Sequence, residues 1–394
     1  MSRTDVFIVA AEPSGDRLGA ALAQSLIKFR PEIRLAGIGG PDMERAGLPS
    51  RMDIDGLAIL GFVEGLKAYG HVLRKVRQAT ESIMNSNPEA VVLIDSWGFM
   101  MRVAKRLRRQ GYAGRIVKYV APQVWATRPG RARILASHVD HLLSTQTMDT
   151  PHFEPLDLPL TFVGNPVLDT DYGAGDAEAF RSRHELSAAR PIVGLFPGSR
   201  PAEVDRVGPA ILGALRTARA AIPALQPVCI VAEVVTTQVR ALFAGEAVTL
   251  IDQTEFIDAL SAMDAALACS GTVTTQLAAA GVPTVVLYRL SPLTFAIASR
   301  MFRPRFISLV NISADSAGAG SEAPLLQEFM QDDIDSDAPA DALIELLENA
   351  DLSKRLSDRL MQETRRMSAG PEHASDKAAK AVLSLIGQRL PIGT

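Results

Sequence analysis

Two cysteines are all that the 394-residue chain contains, and both Cys229 and Cys269 lie in apolar, strand-like runs. A disulfide framework is therefore not indicated. Long apolar runs are also missing, since no stretch approaches the roughly 20 residues that a membrane-spanning helix needs. The first apolar run, 6–11, is cut off by Glu12 and Pro13 and lacks the flanks of a secretory signal. These absences favour a cytosolic protein and leave attachment to a membrane surface open.

Charge of one sign is also scarce, and the formal net charge of −3 gives no general attraction to nucleic acid. No nucleic-acid reader motif is recognised. The histidines show no metal-ligand spacing with cysteine or carboxylates, so we expect no bound metal and no cofactor.

Acidic residues are missing from two stretches of the chain. The first, 99–135, holds ten lysines and arginines, and the second, 288–306, mixes arginines with bulky apolar residues. Basic and apolar character together suits an anionic membrane, or an acylated and phosphorylated substrate. The alternative is a solvated helix face over a core stripe.

Short apolar runs alternate with helical patterns in both halves of the chain. In the first half, strands are predicted at 5–11, 34–38, 90–94, 116–120 and 141–144, with helices at 17–29, 71–86 and 101–110. In the second half, strands are predicted at 192–196, 226–232, 248–251, 265–268 and 284–288. Buried strands separated by helices are typical of a doubly wound parallel sheet, so the fold class is α/β.

A chain of this length favours two domains. We predict Rossmann-like domains at 1–165 and 191–365, joined by a linker at 166–190 that is rich in Asp, Gly and Ala. A C-terminal helix in 366–394 is expected to pack back on the first domain. The two domains are expected to face a cleft in which a ligand binds.

Two turns of small residues follow strands in the second half. The segments 197–200 and 269–272 each lie between an apolar run and a helical pattern, where backbone N–H groups can approach an anion. A guanidinium group suits two phosphate oxygens at once. The two turns therefore predict a nucleotide-linked substrate, held by Gly198, Ser199, Arg200, Ser270, Gly271 and Thr272. The alternatives are helix capping and a surface pair between Arg200 and Glu203.

In the first half, the turn 12–16 follows the first strand at the sheet edge where ligands bind. Its residues Glu12, Ser14, Gly15 and Asp16 are predicted to contact a sugar. The alternative is a simple strand-to-helix turn in which Asp16 favours the helix dipole. The pair Gly39 and Gly40, after the second strand, is a turn that can also contact a ligand.

The order of several motifs resembles the lipid-A-disaccharide synthases. The motifs are Ala11–Asp16, Gly37–Met43, Leu60–Glu64, Tyr119–Ala126 leading into Arg128–Arg131, Phe162–Pro166, Phe196–Arg200 with Glu203, and Ser270–Thr272. Together they span nearly the whole chain, and the Pro122-Gln123-Val124-Trp125 segment is the most distinctive.

The resemblance implies a GT-B fold and an inverting glycosyltransferase at the cytoplasmic face of the inner membrane. It implies that UDP-2,3-diacylglucosamine and 2,3-diacylglucosamine 1-phosphate are joined with release of UDP, the acceptor binding mostly to the N-terminal domain and the UDP-sugar to the C-terminal one. Gln123 and Trp125 are carried over as substrate-binding residues. Trp97 and Trp125 have core or cleft-wall packing as the alternative to acyl-chain contact.

The chain departs from the family pattern most clearly at 95–100. The family typically has a second aspartate where this chain has Gly98, and that aspartate is widely considered important for catalysis. An attacking hydroxyl needs a base within hydrogen-bond reach. Asp95, at the end of a strand, is the remaining candidate, with Glu12 as the second predicted catalytic residue. Capping of the next helix is the alternative for Asp95.

Two further departures concern the donor side. Gln276, one turn after Thr272, stands where the family usually has a glutamate of the kind that binds a ribose. Asn311 matches the family's Ser-Leu-Pro-Asn segment with Val310 in place of proline, and Glu322 is a candidate substitute for a missing acid.

Three functions are consistent with these residues. The first is lipid A disaccharide synthesis. The second is an inactive protein that binds a UDP-sugar or a lipid, and Gly98 and Gln276 support it. The third is another GT-B enzyme that acts on a UDP-sugar. The acid-free, arginine-rich stretches disfavour it, because they favour an acylated acceptor over a free sugar.

Overall fold

The computed structural model describes residues 4–54, 62–318 and 323–386. Leu60, Gly61 and Glu322 lie outside the described residues, as does 387–394 of the predicted C-terminal helix. Contacts divide the chain into two units, Met1–Pro166 with Ser368–Thr394, and Val167–Met367.

The first unit contains a six-stranded parallel sheet. Its strands are β1 (Val6–Val9), β2 (Leu35–Ile38), β3 (Ala90–Ile94), β4 (Arg115–Tyr119), β5 (His141–Ser144) and β6 (Leu160–Phe162). Their order across the sheet is β2-β1-β3-β4-β5-β6. The connecting helices are α1 (Pro13–Phe29), α2 (Pro41–Arg45), α3 (Phe62–Ser86), α4 (Trp97–Arg109), α5 (Arg131–Ala136) and α6 (Thr150–Phe153).

The second unit repeats the scheme with a different strand order. Its strands are β7 (Ile192–Phe196), β8 (Gln226–Val231), β9 (Thr249–Asp252), β10 (Ala265–Cys269), β11 (Thr284–Tyr288) and β12 (Gln327–Met330), in the order β12-β11-β10-β7-β8-β9. Its helices are α7 (Ala177–Arg183), α8 (Pro201–Ala221), α9 (Thr236–Leu242), α10 (Phe256–Ala262), α11 (Thr272–Ala279), α12 (Pro292–Met301), α13 (Leu309–Ser316), α14 (Ala338–Glu348) and α15 (Ala350–Met367).

Each sheet is buried on both faces, as expected of a parallel sheet covered by helices. In β1, Phe7 and Val9 join the apolar cluster on one face, and Val6 and Ile8 join the cluster on the other. This alternation follows from the period of two along a strand. The last helix, α16 (Ala374–Leu385), packs against α1 and completes the second of these clusters.

Several elements differ from the sequence prediction. Strands β6 and β12 were not predicted; both lie at sheet edges, and their half-buried residues do not form a continuous apolar run. Residues 177–183 of the predicted linker form a helix, because Phe180 is buried in the core of the second unit. Helix α4 begins at Trp97 and so includes Gly98.

None of the helices in the described ranges is long and apolar enough to cross a membrane.

Candidate functional site

The donor-side residues predicted from the sequence come together at one point of the second sheet. Strands β7 and β10 are hydrogen-bonded neighbours, although they are the first and fourth strands of the unit. The chain therefore reverses its direction of winding between them. Ligands of doubly wound sheets bind in the crevice at such a point, outside the carboxyl ends of the strands.

A cavity of about 280 Å³ opens at this position. Seven of the predicted residues line it: Gly198, Ser199, Arg200, Ser270, Gly271, Thr272 and Gln276. The structure thus gathers two turns that are about 70 residues apart in the sequence around one cavity. Helix α11 begins there, and the first-turn N–H groups of a helix have no partner within it and favour an anion.

The first turn is closed by an acid of its own helix. The Glu203 Oε2 atom accepts hydrogen bonds from the backbone N–H groups of Ser199 at 3.0 Å and Arg200 at 3.3 Å. Gly198 has φ +130°, and a Cβ atom there would lie 2.5 Å from Glu203 Cβ, so glycine is required. A carboxylate therefore occupies these two N–H groups, while the side chain of Arg200 and the first residues of α11 line the cavity.

Arg200 is the exposed cation of the cavity. Its Nη1 atom donates to Glu203 Oε1 at 2.7 Å, while the side chain remains 73% exposed. The surface pair considered in the sequence analysis therefore forms. One N–H of the guanidinium group is used there, and the group has five.

Several residues of the cavity were not predicted from the sequence. Phe256 is one of the lining residues and packs edge-on against Tyr172 and Phe196. Gln253 also lines the cavity and comes just after β9, so its place at the carboxyl end of a strand could have indicated a ligand contact.

Gln276, a predicted residue, is held by a hydrogen bond, since its Nε2 atom donates to the Tyr172 hydroxyl at 3.1 Å. Burial raises the pKa of the Cys269 thiol to about 12, which keeps this lining residue protonated.

Asn311 lies elsewhere and has a structural role. It is 1% exposed, and its Nδ2 atom donates to the Leu326 carbonyl oxygen and to Glu328 Oε1, both at 2.7 Å. Its Oδ1 atom accepts the Leu326 N–H at 3.0 Å. The prediction that Asn311 binds substrate is therefore not supported, because its amide joins α13 to the start of β12 instead.

The first sheet has a reversal point of its own. Its strands β1 and β3 are neighbours, and the turn 12–16 and Asp95 follow their carboxyl ends. Gly15 packs there, since a Cβ atom would lie 3.7 Å from the Ile94 carbonyl oxygen. Glu12 and Asp95 are both half-buried, and Ser14 is exposed. The predicted catalytic carboxylates therefore follow neighbouring strands at the edge where a ligand of this sheet is expected.

The environment of Asp16 differs from the one expected of a residue that contacts a sugar. It is 2% exposed, and its carboxylate accepts the N–H groups of Gly40 at 2.7 Å, Asp42 at 2.8 Å and Met43 at 3.2 Å. A Cβ atom at Gly39 or Gly40 would lie 2.9 or 2.8 Å from this carboxylate, which explains the two glycines. Asp16 shapes the turn before α2.

The turns after β3 and β4 carry unusual backbone. Asp95 has φ +50° and Ser96 φ +35°, and Val120, a β-branched residue, has φ +70°. Such conformations are costly and persist where the surroundings fix them. Asp95 stands before the start of α4, but Ser96 is its N-cap residue.

Lys118 lies beneath these turns and was missed in the sequence analysis. It is 1% exposed, and its Nζ atom donates to the carbonyl oxygens of Asp95 at 2.7 Å and Tyr119 at 2.9 Å. Burial lowers the pKa of the Lys118 amine to about 7, although the charges of Asp95 and Glu12 act in the opposite direction. The sequence feature that could have indicated this buried amine is the presence of a lysine within a predicted apolar strand.

Gln123 and Trp125 lie in the loop after β4. Gln123 is exposed, whereas Trp125 is half-buried and donates from Nε1 to Asp149 Oδ1 at 3.1 Å. Burial raises the pKa of Asp149 to about 6, opposed by hydrogen bonds from Ser144 and Trp125. Trp97 carries the guanidinium of Arg131 5.0 Å from its ring centre.

The two acid-free stretches have different environments. In α4 the apolar side chains Phe99, Met101, Val103 and Leu107 are buried in the core, so that stretch is a basic face over a core stripe. Helix α12, in contrast, has no buried residue. Its Leu293 is 74% and its Ile297 54% exposed.

In the described part of the chain, no group of three or more His, Cys, Asp or Glu side chains is arranged to hold a metal ion.

Comparison with known proteins gives a full-length match. The family model described as Lipid-A-disaccharide synthetase matches residues 6–383. A lipid-A-disaccharide synthase of Rhodospirillum centenum is 38% identical over 390 residues, which cover 98% of this chain and 95% of the relative. One from Coxiella burnetii is 31% identical, covering 98% of this chain and all (100%) of the relative.

Solved structures share the fold. A putative UDP-N-acetylglucosamine 2-epimerase from Listeria monocytogenes is similar with a TM-score of 0.62 at 14% identity, covering 97% of this chain and 95% of that one. The calicheamicin glycosyltransferase CalG4 is similar with a TM-score of 0.59 at 15% identity, covering 99% and 100%. These likenesses confirm the predicted GT-B, α/β architecture.

Proposed function

Since the chain belongs to the lipid-A-disaccharide synthase family, whose members are glycosyltransferases, we propose that it joins UDP-2,3-diacylglucosamine to 2,3-diacylglucosamine 1-phosphate. The products are the β-1,6-linked disaccharide 1-phosphate and UDP. The observation that carries the proposal is the cavity at the reversal point of the second sheet, lined by two strand-to-helix turns and an arginine.

The second unit is the proposed donor domain. The first turn of α11 and the guanidinium group of Arg200 are charge-complementary to a diphosphate. Phe256 and Gln253, on the same cavity, provide an aromatic surface and an amide for the nucleobase. Gln276, held by Tyr172, is the proposed ribose contact.

The first unit is the proposed acceptor domain, with Asp95 as the base. The acceptor's 6-hydroxyl oxygen attacks the anomeric carbon of the donor sugar, and its proton passes to the Asp95 carboxylate. The bond between that carbon and the phosphate oxygen breaks, and its electron pair leaves with UDP. Glu12, Ser14, Gly15 and Gln123 are the proposed acceptor contacts, with Gly39, Gly40 and Trp125 shaping the site. The leaving diphosphate is stabilised electrostatically by Arg200 and the helix end.

Helix α12 is the proposed membrane contact, on the cytoplasmic face of the inner membrane where acylated substrates are available. Leu293 and Ile297 are exposed on it, and Arg300 and Arg303 follow without an acidic residue between 288 and 306. Exposed apolar side chains beside arginines suit an anionic lipid surface.

The test of this function is product analysis with purified protein and both acylated substrates in detergent. Mass spectrometry is expected to find one disaccharide 1-phosphate for each UDP formed. Turnover of unacylated UDP-N-acetylglucosamine instead would favour another UDP-sugar enzyme. Binding of UDP without any product from either donor would favour an inactive binding protein.

A further inference from the structure

The buried lysine below the proposed acceptor site has no part in the reaction described above. Lys118 lies on β4, next to β3, and its amine is inaccessible to a substrate because the side chain is 1% exposed. A fully buried lysine is uncommon unless its amine has partners. Its partners here are two backbone carbonyl groups, those of Asp95 and Tyr119.

Those two carbonyl groups belong to two turns with strained backbone. Asp95 and Ser96 have positive φ at the end of β3, and Val120, which follows Tyr119, has positive φ at the end of β4. A single amine therefore joins both turns at the point where their backbone departs from ordinary geometry. Such strain persists only where surrounding contacts hold it.

The same amine is the cation associated with the two predicted catalytic carboxylates. Asp95 and Glu12 are the charged groups that act on Lys118 electrostatically. The amine is thus tied to the backbone of Asp95 by a hydrogen bond and interacts with both carboxylates through their charge.

We propose that Lys118 is a positioning residue, whose amine fixes the turns at Asp95 and Tyr119 and so places the Asp95 carboxylate for base catalysis. This inference rests on the proposed role of Asp95. Lys118 acts through Asp95 and does not itself exchange a proton with the substrate, since its amine is enclosed.

The test compares Lys118→Met, which keeps the length of the side chain without its charge, with Lys118→Gln and with the exposed-site control Lys354→Met. Both Lys118 variants are expected to lower kcat at least tenfold and to leave KM for the UDP-sugar within about twofold. Lys354→Met is expected to match the wild type.

Folding is followed by the near-ultraviolet circular dichroism of Trp97 and Trp125, both of which lie in the first unit. If Lys118→Met loses this signal, Lys118→Gln carries the comparison. A folded Lys118 variant with wild-type kcat overturns the proposal.

A double-mutant cycle separates this proposal from the one on which it rests. If Lys118 acts through Asp95, the Lys118→Met effect on kcat is expected to disappear in an Asp95→Asn background. If Asp95→Asn alone has wild-type activity, the role of Asp95 as base fails. If Asp95→Asn is impaired and Lys118→Met lowers kcat by the same factor in both backgrounds, the base stands and the positioning role of Lys118 fails.

Discussion

Arg200 illustrates how much depends on one exposed side chain. Its guanidinium lines the donor cavity and is 73% exposed, paired only through an i,i+3 contact with Glu203. We predict that Arg200→Ala raises the dissociation constant of UDP by about 10- to 100-fold, which corresponds to one or two charge-assisted hydrogen bonds. Isothermal titration calorimetry measures this directly. Arg240→Ala, an exposed arginine of α9, is the control, and equal affinity of the two variants would remove Arg200 from the donor site.

At the same scale, Asp16 and Asn311 show what a sequence does not reveal about side chains. Both are polar residues in family motifs, and both are almost fully buried with backbone partners from distant segments. Residue type and position do not say whether a carboxylate or amide is already satisfied by the protein. The positions of Gly198, Ser270 and Gly271 beside a cavity could be predicted, because an apolar strand, a turn of small residues and a helix follow one another directly in the sequence.

At the scale of elements, one carboxylate of α16 makes polar contacts with α1. Asp376 accepts hydrogen bonds from Ser25 Oγ at 2.7 Å and Lys28 Nζ at 2.6 Å. We predict that Asp376→Ala lowers the free energy of unfolding of the first unit by about 1–2 kcal/mol at pH 7. Urea unfolding followed by the tryptophan signal measures this, with the exposed Asp358→Ala as the control.

The same contact has a pH dependence with a defined sign. The hydrogen bond from Lys28 holds the pKa of Asp376 below its usual value, with burial acting against it and Ser25 assisting. A carboxyl group with a depressed folded-state pKa stabilises above its unfolded value near 3.9 and loses that contribution as the pH falls. The difference between wild type and Asp376→Ala is therefore expected to shrink below about pH 4. A constant difference between pH 3 and pH 7 would mean that packing, and not the charge, is responsible.

Elements also differ in how well they could be predicted. Strands β3, β5, β7 and β11 match their predicted bounds, and in β3 and β7 every residue is apolar or glycine and buried. The edge strands β6 and β12 carry half-buried residues on one open side, so the apolar pattern is lost. Helix α7 was missed for a related reason, since a single buried phenylalanine holds it to the core.

At the scale of the whole molecule, we predict that the protein attaches to an anionic bilayer through α12. We predict that Leu293→Glu with Ile297→Glu reduces sedimentation with vesicles containing phosphatidylglycerol at least tenfold, because both side chains are exposed on α12 and flank a basic segment. Binding of the wild type is expected to weaken with added salt and with neutral vesicles. Val234→Glu, at an apolar side chain that is 75% exposed in the same unit, is the control. Equal loss in this control would indicate nonspecific adhesion.

The two reversal points explain why the whole architecture could be predicted better than its chemistry. Alternating strands and helices specify doubly wound sheets, and such sheets fix where ligands bind. The identity of the proposed base, in contrast, depends on which carboxylate the turns around Asp95 and Lys118 expose to the substrate. That depends on backbone conformations such as the one at Val120, which no local pattern specifies.

The role of Asp95 as the base of a transfer reaction is tested by the rate of UDP release with one or both substrates present. For the wild type we predict release only when donor and acceptor are both present. For Asp95→Asn we predict unchanged UDP binding and a rate lower by about 100-fold or more, the contribution of a general base. A folded wild type that binds UDP but releases none with both substrates, or an Asp95→Asn variant of undiminished rate, would contradict the account.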